Sequence, residues 1–311
     1  MTARSTADWA ARGVGRARLR GSAYRSPHRG VHADAGPEDD RTRVLDAAVL
    51  LPAGGAVGGW AAALLLGAGW PDGRDVAGAT RPVPLVVPRR SRPRPRDGVR
   101  HHRSDLTDEE VVLVAGVPVT APARTAFDLL RWGAEPREAV ADVDGLLAAG
   151  LTGLVDVVEA TSTRRGWPGS VRAGSLLPHL SDRSRSPQET RLRLVWTLDA
   201  RLPPPLVNCT VLGHDGRSRG TPDLLDTGAA FAAEFDGRYH LDGRTAPTDR
   251  VREEGLTATG LTVARFYGAD LTVHRRRTVH RLQQGRSRGL ARERSADSWH
   301  VRLPDGSLWW P

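Results

Sequence analysis

Lysine and isoleucine are absent from this 311-residue chain, and asparagine occurs once, at Asn208. All 45 basic side chains are therefore arginine, and the formal net charge is +9. A strong positive charge usually indicates a nucleic-acid partner. The same bias is typical of a GC-rich coding sequence, so the charge alone is only weak support for DNA or RNA. The absence of lysine excludes any mechanism that requires a lysine side chain.

Cysteine also occurs only once, at Cys209. One thiol can form no internal disulfide and cannot build a zinc site of several thiolates. We therefore expect a small buried apolar residue in a protein of the reducing cytoplasm. Residues 1–20 are polar and rich in arginine, without the apolar core of a secretory signal. These features predict a cytoplasmic location.

Long hydrophobic runs are scarce. Residues 47–71 carry no charged side chain, and this run is long enough to span a bilayer. It contains Pro52 and six glycines, however, and few bulky side chains. We interpret it as two short buried helices around a glycine-rich turn, and we predict no membrane association.

The pattern of the whole chain predicts a mixed α/β (α+β) protein in four parts. Residues 1–95 are predicted to form a mostly helical, winged-helix-like region, and residues 96–180 a middle α/β region. Residues 186–285 are predicted to form a third domain, and residues 286–311 a tail rich in arginine and tryptophan.

Two local patterns predict strands in the first half of the chain. The apolar run Val83–Val87 is bounded by proline and predicts a short strand. The runs Val111–Val114 and Val117–Val119 flank Ala115-Gly116, which is a spacing typical of a β-hairpin.

The segment Arg89–Arg100 alternates arginine with proline. Such a sequence cannot form a regular helix, because proline lacks the backbone N–H and clashes with the preceding turn. We therefore expect an extended, exposed segment. It could lie along a phosphate backbone or serve as a solvated linker, and the sequence leaves both alternatives open.

The third domain begins with a clear helix start at Ser186-Pro187-Gln188-Glu189. Serine is placed as the N-cap, proline in the first turn and glutamate in the capping-box position. The elements predicted after it are strands at 206–212, 221–226 and 229–236, a helix at 249–259, a strand at 261–266 and a helix at 269–284. The resulting order is α-β-β-β-α-β-α.

Acidic side chains cluster on the central hairpin of that domain. If Thr227-Gly228 is a two-residue turn, Asp223 faces Ala232 across the hairpin. Side chains alternate along a strand, so Glu234 and Asp236 then point to the same side as Asp223.

Three carboxylates on one face repel one another, and a cation between them would relieve the repulsion. Ligand sets made only of oxygen favour Mg²⁺ or Mn²⁺, ions that lower the pKa of a bound water and stabilise charge on a phosphate. The alternatives are an ordinary turn residue at Asp223 and a solvated strand edge at Glu234 and Asp236.

The run Pro222–Asp226, followed by the run EFDGRYH at 234–240, resembles the PD-(D/E)xK nuclease superfamily. More narrowly, it is similar to small bacterial domains related to very-short-patch-repair endonucleases. The flanking segments that agree with this resemblance are Ser186–Glu189 with Arg191, Asp249–Glu253 and Leu261–Phe266. The resemblance covers about residues 186–285 and implies a restriction-endonuclease-like fold.

The resemblance also implies roles for individual residues. Asp223 would be the central metal ligand and Glu234 the second. Asp236, the third member of this metal-binding set, stands where the superfamily often has lysine. His240 would position or deprotonate the attacking water, since an imidazole can accept a proton near neutral pH. Glu189 would complete the acidic cluster.

Two arginines are implied to meet phosphate, namely Arg250 and Arg265. One departure from the superfamily bears on catalysis. Because the chain has no lysine, the role of the usual lysine must pass to Asp236, His240 or an arginine, or be lost. Arginine is a poor proton carrier because it stays charged.

The front half carries a second resemblance. Arg29–His32, the helices predicted over 41–66 and the run VPVTAPARTAFDL at 117–129 are similar to winged-helix antitoxin and regulator proteins of bacterial abortive-infection systems. This resemblance implies DNA binding through a winged helix-turn-helix ahead of the nuclease-like domain.

Two principal hypotheses follow, both with DNA as the partner. The first is a metal-dependent DNA endonuclease that hydrolyses phosphodiester bonds, which the retained acidic residues favour. The second is a catalytically inactive nuclease-fold regulator, antitoxin-like, which the missing lysine favours. A third hypothesis is an interaction protein without a nucleic-acid role. A toxin or repair partner and a homodimer remain open.

Overall fold

The computed structural model describes residues 3–75, 77–237, 255–295, 297–303 and 305–310. The chain divides into two compact units, Met1–Leu180 and Ser181–Pro311, which we call unit 1 and unit 2. Both combine helices with several sheets, which confirms the predicted α/β class.

Unit 1 holds eight strands and seven α-helices among its described residues. The strands are β1 Arg4–Ser5, β2 Tyr24–His28, β3 Val31–Asp34, β4 Ala56–Val57, β5 Val83–Val87, β6 Val99–Arg103, β7 Val111–Val114 and β8 Val117–Thr120. The helices are α1 Thr6–Ala11, α2 Asp40–Ala48, α3 Gly59–Leu66, α4 Pro122–Trp132, α5 Pro136–Ala148, α6 Leu154–Ser162 and α7 Ser170–Leu176.

The main sheet of unit 1 has five strands in the order β6-β5-β4-β8-β7. Strand β5 forms over the predicted residues, and all five of its residues are buried. Strands β7 and β8 form the predicted antiparallel hairpin. Its turn residues Ala115 and Gly116 have φ angles of 50° and 82°, the left-handed backbone that a tight hairpin turn requires. A smaller sheet has the order β1-β3-β2.

Much of the uncharged run 47–71 is buried, and the two predicted helices form as α2, which ends within the run, and α3. Strand β4 occupies the centre of the run, and only helix α3 lies wholly within it. Helix α3 ends at Gly67, whose φ of 97° suits the left-handed C-cap that glycine provides. In the described part of the chain, no helix is both long and apolar enough to cross a membrane.

In unit 2 the described strands are β9 Leu206–Val207, β10 Thr210–Gly213, β11 Ser218–Gly220, β12 Leu224–Asp226, β13 Phe231–Phe235, β14 Thr262–Phe266, β15 Trp299–Arg302 and β16 Leu308–Trp309. The α-helices with described bounds are α8 Pro187–Leu194, α9 Gly268–Leu271 and α10 Arg275–Ala291. Residues 255–258 are also helical, and a π-helical turn, Val195–Asp199, continues α8.

The first sheet of unit 2 has the order β14-β13-β12-β9, with β13 and β14 parallel and the other pairs antiparallel. The single strand predicted over 206–212 is wrong, because the chain breaks into β9 and β10 on either side of Asn208. That residue has a φ of 52°, which a continuous strand cannot accommodate. The single helix predicted over 269–284 is likewise divided into α9 and α10.

The predicted hairpin register is wrong by two residues. Asp226 pairs with Phe231, so four residues rather than two connect β12 to β13. The Asp226 carboxylate accepts a hydrogen bond from the Ala229 backbone at 3.0 Å, and Ala230 has a φ of 46°, so together they close the longer turn. Because the shift is an even number, each side chain keeps the side of the sheet that was predicted.

The core of unit 2 lies on both faces of this sheet. On one face, the indole of Trp196 stacks on Phe231 with ring centroids 5.2 Å apart. On the other, Cys209 is buried among apolar side chains, as predicted, and burial raises the pKa of its thiol. The C-terminal residues supply β15 and β16 to a second sheet, β11-β10-β15-β16.

Candidate functional site

Four polar residues occupy neighbouring positions across the first sheet of unit 2. Glu234 and Arg265 are register partners on β13 and β14, and the Arg265 Nε lies 3.6 Å from the Glu234 Oε2. The register of β12 on β13 pairs Leu224 with Ala233. Continuing this register by one residue places Asp223 opposite Glu234. The Asp223 carboxylate accepts a hydrogen bond of 2.6 Å from the Phe235 backbone, which holds its side chain against β13.

Asn208 is the fourth of these residues, and it links the sheet to helix α8. Its backbone N–H donates to the Asp223 carbonyl at 3.1 Å. Its side-chain amide donates to the Glu189 carboxylate at 2.7 Å and to the Arg183 carbonyl at 2.9 Å. The left-handed conformation of Asn208 lets the main chain and the side chain serve both neighbours. Sequence patterns did not identify this residue as part of the site, although it is the only asparagine in the chain.

Ser186 caps helix α8 as the sequence predicted, but the Glu189 carboxylate accepts from the Arg185 backbone and not from the backbone of the N-cap residue. The Ser186 hydroxyl accepts from the Glu189 backbone at 3.2 Å and donates to the Glu189 carboxylate at 3.0 Å. The Arg185 backbone donates to the same carboxylate at 2.8 Å. We call Glu189, Asn208, Asp223, Glu234 and Arg265 the polar row. Because Glu189 and Glu234 are at most 9% exposed, their charges are largely shielded from water.

Asp236 lines a cavity of about 980 Å³ next to the polar row, and other walls of the cavity come from Arg191, Tyr267 and Asp270. The backbone N–H of Asp236 continues the pairing of β13 with β14 by donating to the Phe266 carbonyl at 2.8 Å. The structure therefore places Asp223, Glu234 and Glu189 along the row, with Asp236 on the wall of the adjacent cavity.

The two remaining predicted site residues, His240 and Arg250, lie outside the described residues. Within the described ranges, no group of three or more His, Cys, Asp or Glu side chains is arranged to hold a metal ion. The donor geometry in this part of the chain therefore gives the Mg²⁺ or Mn²⁺ site no support. Metal binding by Asp223, Glu234 and Asp236 stays a prediction.

A second candidate surface lies in unit 1 along Arg89–Arg103, which we call the basic strip. It contains seven arginines, two histidines and a single acidic residue, Asp97. All the arginines are exposed except Arg96, which is half-buried. Arg92, Arg94, Arg96 and His101 line a cavity of about 330 Å³. The segment that the sequence predicted to be exposed is thus exposed, and it carries a dense positive charge.

Buried ion pairs support this surface from within unit 1. On helix α4, Asp128 lies 3.1 Å from the Arg124 Nε and 2.8 Å from the Arg131 Nε, and all three side chains are buried. Arg124 also contacts Glu110 at 2.8 Å and donates to the Ser104 hydroxyl at 3.0 Å. Ser104 directly follows β6, so this network fixes the end of the basic strip to helix α4.

The fold and these two surfaces define a mixed α/β protein with an arginine-rich face on unit 1 and a partly buried polar row in unit 2. Residues 37–179 match the sequence profile of a family described as the AbiEi antitoxin C-terminal domain. The matched stretch lies in unit 1 and contains the basic strip and the buried ion pairs. It supports the predicted antitoxin resemblance.

No curated protein and no solved structure matches the chain. The nuclease resemblance of residues 186–285 thus has no support from the comparisons, and it stays a prediction.

Proposed function

We propose that this protein is a nucleic-acid-binding regulator of the antitoxin type, and that the basic strip of unit 1 binds the phosphate backbone of DNA. The observation that carries the proposal is the exposed arginine density of Arg89–Arg103, within the stretch that resembles an antitoxin domain. Each arginine brought to a phosphate releases a condensed counterion, and this release drives binding.

The local geometry of the strip suits this role. Pro93 and Pro95 restrict the backbone between the arginines and prevent a helix from forming. A restricted backbone loses less conformational entropy when a ligand orders it, so more of the binding energy is retained. Guanidinium groups also contact phosphate oxygens in pairs of parallel hydrogen bonds, which hold the protein in register on the backbone.

The contacts in unit 2 favour an inactive, nuclease-like module over an active one. The Asp223 carboxylate accepts from the Phe235 backbone, and the Glu189 carboxylate accepts from Arg185, Ser186 and Asn208. These bonds stabilise the helix start and the hairpin. The carboxylates therefore already have a structural function that needs no metal. Because the matched family is described as an antitoxin domain, we propose that the protein partner is a toxin.

The DNA-binding proposal is tested by fluorescence anisotropy with a labelled duplex over a range of salt concentrations. The variant is the double change Arg92→Ala with Arg94→Ala, in the exposed part of the strip. The matched control, Arg12→Ala with Arg165→Ala, removes the same charge from exposed sites elsewhere in unit 1.

We expect the strip variant to lower the slope of log affinity against log salt by about 2, because about 0.9 of a counterion is released per phosphate contact. The control should retain nearly the full slope. Equal losses in the two variants would show that net charge alone, and not the strip, determines binding.

A second candidate function is hydrolysis of phosphodiester bonds at the polar row. It is favoured by the way Glu189, Asp223, Glu234 and Arg265 come together from four separate elements. A divalent cation, if bound, would activate water for attack, while Arg265 would meet phosphate charge.

The hydrolysis test is nicking of supercoiled plasmid with Mg²⁺ or Mn²⁺ by the native chain and by Asp223→Ala and Glu234→Ala. Asp215→Ala, an exposed carboxylate of unit 2, is the control. Nicking that only the two row variants abolish would establish the activity. No nicking by the native chain would support the inactive module.

A further inference from the structure

Unit 1 has a cavity of about 220 Å³ whose lining residues differ from those of the cavity lined by the basic strip. This 220 Å³ cavity is lined by aromatic rings and by cations, including Trp60, Trp132, His102, Arg81 and Arg100. These residues come from α3, α4, β6 and the residues just before β5. Such a mixture of flat apolar walls and a few charged groups is typical of small-molecule sites.

The aromatic walls are held in place. His102 stacks on Trp132 with ring centroids 3.6 Å apart and planes 17° apart, and the guanidinium of Arg131 lies 4.3 Å from the Trp132 ring. The Trp60 indole N–H donates to the Pro82 carbonyl at 3.0 Å. Burial, together with Arg100 and Arg131, lowers the pKa of His102 to about 4, so the imidazole is an uncharged ring at neutral pH.

The electrostatics of the cavity favour an anion. Arg100 is exposed at its edge. Gly59, the first residue of helix α3, also lines the cavity. The N-cap residue is Gly58, which has no side chain to accept a hydrogen bond from the N–H groups at the helix start. The N–H groups and dipole at a helix N-terminus attract negative charge.

Two acidic side chains also line the cavity. The negative charge of Asp128 is balanced by the buried Arg124 and Arg131. The Asp75 carboxylate accepts from the Ala77 and Ala79 backbone N–H groups at 2.9 Å, so it closes its own turn.

Size restricts the ligand. Sites that enclose drug-sized molecules usually have roughly 300 to 1,000 Å³, and this cavity is smaller. It has room for one planar ring with part of an attached group. Proteins commonly hold an unpaired nucleotide by stacking its base on aromatic side chains. Arginine side chains then contact the adjacent phosphate.

We propose that this cavity binds a single nucleobase against its aromatic lining, with the neighbouring phosphate at Arg100. The nucleotide could be a free mononucleotide or an unpaired nucleotide of a nucleic-acid strand. The second source rests on the proposed function, since Arg100 belongs to the basic strip. Strand β6 serves both sites, because His101 lines the strip cavity while Arg100 and His102 line this one.

The test uses the full chain and isothermal titration with adenosine 5′-monophosphate, ribose 5-phosphate and a single-stranded 12-mer. Arg100→Ala is the variant. The matched control is Arg103→Ala, an exposed arginine on the opposite side of the same strand. Neither change removes a buried side chain, so both variants should fold.

Binding of the mononucleotide should weaken about 10-fold in Arg100→Ala, as for loss of a charged hydrogen bond, and change less than about 2-fold in Arg103→Ala. Ribose 5-phosphate, which lacks the base, should bind at least about 10-fold more weakly than the mononucleotide. Equal binding of the two ligands, or equal losses in the two variants, would overturn the proposal.

The single-stranded 12-mer distinguishes a free nucleotide from an unpaired nucleotide of a strand. Tighter binding of the 12-mer than of the mononucleotide, with the same dependence on Arg100, would identify a strand as the ligand, and the reverse would identify a free nucleotide. Mononucleotide binding by a chain that does not bind duplex DNA would uphold this site and reject the proposed function. Salt-dependent duplex binding without any mononucleotide binding would do the opposite.

Discussion

The imidazole of His102 lies flat against the indole of Trp132, with ring centroids 3.6 Å apart. Burial, with added repulsion from Arg100 and Arg131, lowers the pKa of His102 to about 4. In the unfolded chain an ordinary histidine titrates near pH 6.5. Between these two values the unfolded state binds the proton more tightly, so acid shifts the equilibrium towards unfolding. The full stabilisation is present above about pH 6.5 and is lost as the pH falls towards 4.

Replacing His102 with phenylalanine should remove this acid sensitivity, because the ring stays and the titration disappears. The native chain should lose roughly 2–3 kcal/mol relative to His102→Phe between pH 6.5 and pH 4. The measurement is urea denaturation, followed by circular dichroism, at several pH values. His214→Phe, at an exposed position, serves as control and should follow the native curve. Parallel curves for His102→Phe and the native chain would contradict the buried, neutral imidazole.

Asp142 should produce a pH dependence of the opposite sign. Burial raises its pKa to about 6, although Arg81, whose guanidinium lies 3.2 Å away, acts to lower it. Between its unfolded pKa near 3.9 and a value of about 6, the folded state holds the proton more tightly. This contribution to stability is complete below about pH 4 and is lost as the pH rises through 6.

Asp142→Asn should therefore abolish a loss of roughly 2–3 kcal/mol that the native chain undergoes between pH 4 and pH 6. The quantity to compare is the change of the free energy of unfolding with pH, since the variant also alters the contact with Arg81. Asp97→Asn, an exposed position, is the control. If the native chain and Asp142→Asn differ by a constant amount at every pH, the carboxyl is ionised throughout and the prediction is wrong.

Local patterns predicted the elements whose signals lie within a few residues. Strand Val83–Val87 and the hairpin of β7 with β8 form where the sequence placed them. The helix start at Ser186 also forms, with its hydroxyl on the Glu189 backbone. Each depends on alternation, turn residues or capping, and all of these act between neighbours in sequence.

The hairpin register could not be predicted, because the closing contact involves a side chain. A carboxylate at Asp226 that accepts from the Ala229 backbone stabilises a four-residue turn, whereas Thr227-Gly228 alone indicates a two-residue turn. The side of the sheet was still correct, so the nearness of Asp223 to Glu234 was predicted although the pairing was not. The aromatic cavity and the buried arginines depend on residues far apart in sequence, and no local pattern indicates them.

Asp128 should be among the residues on which unit 1 depends most strongly. Its carboxylate lies between Arg124 and Arg131, and side-chain exposure is at most 5% for all three. Asp128→Asn would leave the buried Arg131 guanidinium without its counter-charge and Arg124 with Glu110 alone, at a cost of roughly 3–5 kcal/mol. Chemical denaturation measures this loss. Asp105→Asn changes an exposed pair with Arg89 at 3.9 Å, and it should cost less than about 1 kcal/mol. Equal small effects would contradict the buried network.

The stability and the nicking activity of Glu189→Ala together show whether Glu189 has a structural or a catalytic role. Its carboxylate accepts from the Arg185 backbone and from the Asn208 side chain, so Glu189→Ala should lower the stability of unit 2 by roughly 1–3 kcal/mol. Glu293→Ala, at an exposed carboxylate, should have little effect. Unchanged denaturation of Glu189→Ala, together with any loss of plasmid nicking, would show that the residue serves chemistry and not the fold.

Helix α10 crosses the hairpin of β12 and β13 at Gly285 and Gly289, and neither position should tolerate a side chain. A Cβ added at Gly289 would lie 2.0 Å from the Ala229 carbonyl oxygen, and one added at Gly285 would lie 2.3 Å from the Phe231 ring. Glycine to alanine inside a helix normally stabilises it by about 1 kcal/mol. Here the backbone of the hairpin turn would have to move, and such overpacking costs roughly 1–3 kcal/mol.

The measurement is thermal and urea denaturation of Gly289→Ala beside Gly174→Ala. Gly174 lies in helix α7 with nothing within 4 Å of an added Cβ, so its substitution should be stabilising. Opposite signs for the two alanines would confirm that α10 packs directly on the turn after Asp226. That turn sets the register of β12 on β13, so its displacement would also move Asp223 relative to Glu234. Gly289→Ala should therefore disturb the polar row without altering any of its residues, whereas two stabilising substitutions would show that the helix does not press on the hairpin.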